Sequence, residues 1–150
     1  MFKFNKILVP TDFSEQFGIA LNYAKELAQS TGAELHIIHV NEHTVYPADV
    51  GIAQASFIDL EIELKTKSLN LLEILKDDLV KENINVKIAV KSGRPSDQII
   101  EYAFEERIDL ICIATHGRSG FEHLLFGSTT EKVLRKAPCP VIAVRIPSNR

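Results

Sequence analysis

The feature that most constrains the fold is residues 109–136, in which a strand pattern leads through a glycine-containing loop into a helix pattern. The run 110–114, Leu-Ile-Cys-Ile-Ala, is entirely apolar, as is typical of a strand buried on both faces of a parallel sheet. The loop after it contains Gly117, and Gly127 is followed by the hydroxyl residues 128–130. These hydroxyls are predicted to cap the following helix. The stretch therefore predicts a strand, loop and helix with accessible backbone at the turn.

The start of this helix is predicted to bind an anion. Free N–H groups and hydroxyl side chains at a helix N-terminus attract negative charge. Gly117 and Gly127 lack a Cβ, which lets phosphate oxygens approach the main chain without steric cost. We interpret the stretch as a cradle for the phosphates of a nucleotide.

The rest of the chain alternates strand and helix patterns. Strands are predicted at 6–9, 35–40, 84–90, 110–114 and 141–144. Segments with helical spacing of apolar residues separate them. This alternation predicts the α/β class, with a doubly wound parallel sheet, helices on both faces and right-handed crossovers.

Local signals set the ends of the first strand and helix. Pro10 is predicted to end the strand because it removes a ladder donor. Ser14 is the expected N-cap of the helix, and Gly32 is its expected stop. Asp12 lies just past the end of the strand. It is expected either to cap this helix or to contact a ligand.

The second and third helices are predicted from their apolar spacing. The second covers 57–82, and its apolar positions are Leu60, Leu64, Leu71, Leu75 and Leu79. Gly93 and Pro95 predict a turn, after which Ser96 is the expected cap of the third helix. The apolar positions of that helix are Ile99, Ile100, Ala103 and Phe104.

Composition predicts one globular domain over residues 1–150, since 45% of the residues are apolar and 25% are charged. A formal net charge of -3 without a basic cluster argues against nucleic-acid binding. No apolar run is long enough for a signal peptide or a membrane span, so we expect a cytoplasmic protein. In that reducing compartment Cys112 and Cys139 are expected to be free thiols.

Histidines in and after the second strand raise the possibility of a metal site. Strand alternation puts His36 and His39 on opposite faces, so these two side chains cannot chelate together. A pair formed by His39 and His43 is left as a minor alternative.

One motif resembles a known family. Ala114-x-x-Gly117, nine residues, then Gly127-Ser128 is similar to the nucleotide-binding signature of the universal stress protein family, Gly-x-x-Gly, nine residues, Gly-Ser/Thr. The stretches at 6–14, 92–95 and 137–145 match the family in place and order. The departure is Ala114, where the family has glycine. The methyl group of Ala114 is unfavourable if the position needs a positive φ or if the ligand touches it, and it fits if the residue is simply the last of a strand.

The resemblance implies the strand order 3-2-1-4-5 and a site for ATP with Mg²⁺. This order places the reversal of strand order between the first and fourth strands, where ligands bind in such sheets. Arg118 would add a nearby cation, and Asp12 and a carboxylate such as Glu122 would approach the Mg²⁺. The family contacts, carried over position by position, are Pro10, Thr11, Asp12, Val40, Ile113, Ala114, His116, Gly117, Gly127, Ser128, Thr129 and Thr130.

These observations favour a nucleotide-binding stress-response or regulatory protein whose output is binding. The sequence has no P-loop, no Gly-x-Ser-x-Gly elbow and no Cys-x-x-Cys, so we expect at most slow ATP hydrolysis. The alternative is a structural homodimer of the same family that has lost nucleotide binding. A flavodoxin-like FMN domain fits less well, since it needs a phosphate loop after the first strand, and residues 10–14 contain no glycine and one carboxylate.

The last strand is predicted to mediate a homodimer. Val141, Ile142, Ala143 and Val144 are apolar on both faces, yet the expected topology leaves them at the sheet edge. An exposed apolar edge strand promotes aggregation unless another segment pairs with it or covers it. The resemblance implies an antiparallel pairing with the same strand of a second subunit; the alternative cover is the tail 147–150 or a loop.

Overall fold

The computed structural model describes residues 3–42, 53–117 and 125–146. Its strands are β1 (Lys6–Thr11), β2 (Glu34–Asn41), β3 (Val86–Ser92), β4 (Leu110–Ala114) and β5 (Val141–Val144). Its helices are α1 (Glu15–Thr31), α2 (Ala53–Lys81), α3 (Pro95–Glu105) and α4 (Ser128–Lys136). The strands pair in parallel in the order β3-β2-β1-β4-β5, which confirms the predicted α/β class and strand order.

Two apolar cores lie on opposite faces of this sheet, because side chains alternate along each strand. Ile7 and Val9 belong to the core that α1 and α2 cover. Leu8 belongs to the core that α3 and α4 cover. All three side chains are fully buried, so β1 anchors the centre of the sheet on both faces.

The ends of α1 are as predicted. The hydroxyl of Ser14 accepts a hydrogen bond of 3.3 Å from the N–H of Phe17, which makes Ser14 the N-cap. Gly32 ends the helix with a φ of 74°, and its N–H donates to the carbonyl of Ala28.

The prediction that Pro10 ends the first strand is wrong, because β1 continues to Thr11. The carbonyl oxygen of Lys6 accepts a hydrogen bond from the Asp109 N–H. The backbone N–H and C=O groups of the even-numbered residues of β1 therefore point towards β4. The register between β1 and β4 covers Ile7 and Leu8. Pro10 lies beyond these pairs, and its missing N–H therefore interrupts no pairing on that side.

The buried face of α2 differs from the predicted one. Leu71 is 40% exposed, whereas the neighbouring Leu72 is fully buried against the sheet. Leu60 and Leu64 are similarly exposed, and the predicted core contact at Leu79 is confirmed. Within the described ranges, no helix is both long and apolar enough to cross a membrane.

The start of α3 also differs from the prediction. Arg94 is the N-cap and Pro95 is the first helical residue, so Ser96 lies inside the helix instead of capping it. Ile99 and Ala103 are buried as expected, but Phe104 is 75% exposed. β3 begins at Val86 rather than 84 and forms the predicted edge of the sheet.

His36 and His39 lie on opposite faces of β2, as predicted. His36 is fully buried, and its ring nitrogens contact the Tyr102 hydroxyl at 2.9 Å and Glu34 at 2.7 Å. Burial lowers the pKa of His36 below its usual value, against the opposing effect of the Glu34 carboxylate. His36 is therefore a hydrogen-bonded core residue. The predicted partner of His39, His43, lies outside the described residues.

Both cysteines are free thiols, as expected. Cys112 is fully buried in β4, and burial raises its pKa to about 11. Burial also raises the pKa of the partly buried Cys139. Neither thiol is activated as a nucleophile, because activation requires a lowered pKa.

Replacement of adjacent leucines in α2 tests the observed packing. Leu72→Ala should lower the free energy of unfolding by about 2–5 kcal/mol, because it leaves a cavity under the helix. Leu71→Ala makes the same chemical change on the exposed side and should cost about 1 kcal/mol or less. Urea unfolding of both variants measures the difference, and equal losses would contradict the assigned face of α2.

Candidate functional site

A cleft opens where β1 and β4 separate. The two strands are in register at Ile7 and Leu8, and both continue towards their carboxyl ends beyond this contact. From β1 the chain crosses to β2 on one side, whereas β4 and β5 lie on the other. Parallel sheets form ligand crevices at such a reversal of strand order. The cleft at this position has a volume of about 470 Å³.

Every residue of the predicted nucleotide site lines this one cleft. They come from the end of β1, the end of β2, the end of β4 with its loop, and the start of α4: Pro10, Thr11, Asp12, Val40, Ile113, Ala114, His116, Gly117, Gly127, Ser128, Thr129 and Thr130. The cleft also contains residues that sequence reasoning did not select: Phe17, Ile38, His39, Asn41, Glu42, Leu64, Pro95 and Ile99.

The inner wall of the cleft is apolar. Ile38, Val40 and Ile113 belong to the buried core on the α3 and α4 side and also line the cleft. Strand alternation explains Ile38, which shares a face with Val40 two residues later. An apolar wall of this kind can accept the flat face of an aromatic ring.

Asp12 forms the polar side of the cleft beside β1. Its Oδ1 accepts hydrogen bonds from the N–H of Ser14, at 3.0 Å, and from the Ser14 hydroxyl. Ser14, not Asp12, is the cap of α1. The carboxylate is thus oriented by the residue that starts the helix, and it faces the cleft from a fixed position.

Gly117 lies directly opposite the Asp12 carboxylate. A Cβ added to Gly117 would clash with the Oδ2 of Asp12. The φ of Gly117 is outside the left-handed region, so this glycine is required by close approach rather than by backbone conformation. The sequence shows the glycine but not its neighbour, because Asp12 and Gly117 are brought together by the sheet.

The start of α4 is tied to the end of β4 by two hydrogen bonds. The N–H of Gly127 donates to the carbonyl of Thr115 at 2.8 Å, and the Thr130 hydroxyl donates to the carbonyl of Ala114 at 2.7 Å. The prediction that hydroxyls cap this helix is wrong: the N-cap is Gly127, and no described side chain caps the helix. The first N–H groups of α4 have no partner within the helix and border the cleft.

Two histidines border the cleft with defined partners. His39 contacts the carbonyl of Thr11 at 2.7 Å and the Asn41 side chain at 3.0 Å, and its ring packs against Phe13. His116 contacts the Thr115 hydroxyl at 3.2 Å. Both rings are therefore held by neighbouring groups.

Ala114 fits its position without backbone strain. It is the last residue of β4, and its φ lies outside the left-handed region. The methyl group is compatible with the local fold, because extended backbone accepts any L-residue.

The described residues offer few ligands to a metal ion. Among the described residues, no three His, Cys, Asp or Glu side chains are grouped as a metal site would require. Arg118 and Glu122, which the sequence placed near the site, lie outside the described residues.

Comparison with known proteins assigns the family. The model of the universal stress protein family matches residues 3–145. The chain belongs to the universal stress protein family.

Individual family members match over nearly the full chain. Universal stress protein MJ0577 of Methanocaldococcus jannaschii is 33% identical, over 95% of this chain and 95% of its own length. Universal stress protein YxiE of Bacillus subtilis is 33% identical, over 95% of this chain and 99% of its own length. The solved structure of UspA from Lactobacillus plantarum covers 97% of this chain and 100% of its own, at 26% identity and a TM-score of 0.85.

The contact between Gly117 and Asp12 is testable with matched glycine variants. Gly117→Ala should lower the free energy of unfolding by about 1–3 kcal/mol, because the added methyl group displaces a carboxylate that Ser14 holds. Gly18→Ala places the same methyl group in open space on α1 and should raise the free energy by about 1 kcal/mol. Urea unfolding measures both. If Gly117→Ala is neutral, Asp12 is not held against Gly117.

Proposed function

We propose that this universal stress protein binds an adenine nucleotide, ATP with Mg²⁺, in the cleft between β1 and β4, and that binding is its output. The observation that carries the proposal is the start of α4 at the edge of the cleft, which no side chain of the described residues caps. Unpartnered N–H groups at a helix N-terminus are a site for phosphate oxygens.

The phosphates are assigned to the loop and helix start that follow β4. Gly127 keeps side-chain atoms away from the main chain there, whereas the Asp12 carboxylate occupies the space that a side chain at Gly117 would take. Ser128 and Thr129 add hydroxyls, whereas the Thr130 hydroxyl is already used on the Ala114 carbonyl. Phosphate binding therefore depends mainly on backbone N–H groups, with Ser128 and Thr129 in support.

The adenosine is assigned to the strand ends on the other side of the cleft. Val40 and Ile113 offer apolar contact to the base. The oriented carboxylate of Asp12 is an acceptor for the hydroxyl or amino groups of a nucleoside. The apolar strand ends and the polar helix start thus match the two ends of a nucleotide.

Relatives indicate the ligand class. One solved structure of a universal stress protein is described as a complex with cAMP, and one from Arabidopsis thaliana as having AMP bound. They are 22% and 19% identical to this chain, so they establish a common fold and not common contacts. They support adenine nucleotides as the first ligands to test.

Mg²⁺ is assigned to the nucleotide rather than to a protein cage. The cleft contains the carboxylates of Asp12 and Glu42, and Mg²⁺ commonly takes one or two carboxylates together with phosphate oxygens and waters. The bound ion would neutralise phosphate charge. Asp12 is the candidate ligand, because its carboxylate lines the cleft next to Gly117, in the loop that is assigned to the phosphates.

A glycine variant tests the phosphate cradle. Gly127 has a φ of -66°, and a Cβ there would meet the Thr115 carbonyl at 3.6 Å, an ordinary contact. Gly127→Val should therefore fold normally while its side chain covers the helix start. We expect micromolar or weaker ATP binding in the wild type and none in the variant, measured by calorimetry with Mg²⁺ present.

The same samples include a control and a second readout. Gly18→Ala should bind ATP as the wild type does, because Gly18 lies on α1 away from the cleft. Phosphate release should be far slower than the roughly 10 s⁻¹ median of enzymes. If folded Gly127→Val binds ATP with wild-type affinity, the start of α4 does not bind the phosphates. If the wild type binds no ATP, the result favours the alternative function, a structural homodimer.

We also propose that β5 forms an antiparallel homodimer contact. β5 is the edge strand beside β4, and Ile142 on it is 39% exposed. The N–H of Thr115 donates to the carbonyl of Val144, so even-numbered residues of β5 use their backbone towards β4. By alternation, the backbone of Val141 and Ala143 points to the open edge. An unpaired edge with apolar residues favours pairing with a second copy.

Proline at the open edge tests this contact. Ala143→Pro should leave the pairing between β4 and β5 intact, because the N–H of Ala143 points outward, and should prevent pairing with a partner strand. We expect the wild type to be a dimer and the variant a monomer by light scattering. A monomeric wild type at high micromolar concentration would overturn the proposed contact.

A further inference from the structure

A second pocket of about 490 Å³ adjoins the cleft at the start of α3. The two spaces share Glu42, Pro95, Ser128 and Thr129, so a ligand in one can extend into the other. The wall that belongs to the second pocket contributes two cations and a further hydroxyl: Arg94, Lys132 and Ser96.

Two helix N-termini converge on this pocket. Pro95 starts α3 and Ser128 starts α4, and both residues line it. Across the described part of the chain, no side chain caps either helix. Each helix therefore presents N–H groups that lack an intrahelical acceptor, together with the positive end of its dipole.

Ser96 is an independent sign that the pocket receives a ligand. Its residue is 3% exposed, and it lines the pocket. It lies in the first turn of α3 and does not cap it, and among the described residues its hydroxyl has no hydrogen-bond partner. No fully buried side-chain oxygen among the described residues lacks a partner, so solvent in the pocket reaches the Ser96 hydroxyl. An acceptor oxygen of a ligand would take the place of that water.

The charges fit a phosphate group attached to a sugar. Arg94 makes one long contact of 3.9 Å with Asp97, and both side chains are mostly exposed, so this pair is weak and easily exchanged. Lys132 is half-buried on α4. Glu42 offsets one of the two positive charges. Its carboxylate accepts hydrogen bonds from hydroxyl groups, as acidic residues do from ribose.

We propose that this pocket is a second phosphate subsite, continuous with the cleft. It extends the ligand class to adenine nucleotides that carry a further phosphorylated group, as dinucleoside polyphosphates do. The inference rests on the proposed nucleotide function. Arg94, Lys132, Ser96 and the two helix N-termini bind the added phosphate, and Glu42 contacts the sugar next to it.

The test is calorimetry at fixed ionic strength with AMP, ATP, diadenosine tetraphosphate and inorganic phosphate as separate probes. Lys132→Gln and Arg94→Gln should each weaken diadenosine tetraphosphate binding about tenfold, because each removes a charge-assisted hydrogen bond. AMP binding should not change in either variant. Lys136→Gln removes the same charge from the far end of α4 and should leave all affinities as in the wild type.

Ser96→Ala gives a second line of evidence. It removes a hydroxyl that has no partner in the described structure, so thermal unfolding without ligand should be unchanged or slightly higher. Binding of diadenosine tetraphosphate should nevertheless weaken. This combination distinguishes a ligand contact from a structural role, which would lower the unfolding temperature instead.

The probes separate the sources of the phosphate. If Lys132→Gln weakens the binding of diadenosine tetraphosphate alone, the pocket binds the second nucleotide. If it weakens ATP binding equally, the pocket binds the terminal phosphate of ATP. If inorganic phosphate binds and its binding depends on Lys132, the pocket binds a separate anion. The first result supports the proposal. The other two leave an anion site in the pocket but overturn its assignment to nucleotides with a further phosphorylated group. Wild-type affinity of Lys132→Gln and Arg94→Gln for every probe would overturn the subsite itself.

Failure of this inference is distinguishable from failure of the proposed function. If ATP binds and Gly127→Val abolishes that binding, the nucleotide site stands even when both cation variants behave as wild type. If neither AMP nor ATP binds the wild type, the nucleotide function fails and the extended subsite fails with it.

Discussion

The separation of β1 from β4 is the constraint on which the site depends. The strands are in register at two buried residues, Ile7 and Leu8, and then diverge towards their carboxyl ends. Hydrogen bonds from Gly127 and Thr130 attach α4 to the end of β4, so the helix start is fixed at the mouth of the opening. The cleft is therefore a consequence of strand order, and the loops only complete it.

Local hydrogen bonds hold the polar groups around this opening in place. Ser14 caps α1 and also holds the Asp12 carboxylate, so one residue starts the helix and orients a side chain of the cleft. Phe13 between them has a φ of 60°, an unusual conformation for a residue with a side chain. Its ring packs against His39, which contacts Thr11 at the end of β1. The unfavourable backbone conformation is retained because the surrounding contacts determine it.

The strands were predicted from apolar runs and turn residues, because these are local signals. The strand order and the predicted site residues came from the resemblance to the family, and further cleft residues such as Ile38 and His39 were not predicted. The sequence did not predict which leucines of α2 are buried: a helix with apolar residues on several sides leaves the buried face to tertiary packing, which selected Leu72 over Leu71. It also misassigned Ser96, since a serine before an apolar run suggests a cap, whereas Pro95 prefers the first helical position. The second pocket was missed because Arg94 and Lys132 are distant in sequence and meet where two helices begin.

The glycines of the family motif do not have equal physical roles in this chain. At position 114 the backbone is an ordinary strand end, so alanine is accommodated and the departure from the family pattern brings no conformational cost. At Gly117 a Cβ would strike the Oδ2 of Asp12, so a side chain there would have to displace a carboxylate that Ser14 holds. At Gly127, the N-cap of α4, an added Cβ would make only ordinary contacts with the described residues. The two glycines therefore differ: the Asp12 carboxylate constrains Gly117, whereas no described contact excludes a side chain at Gly127.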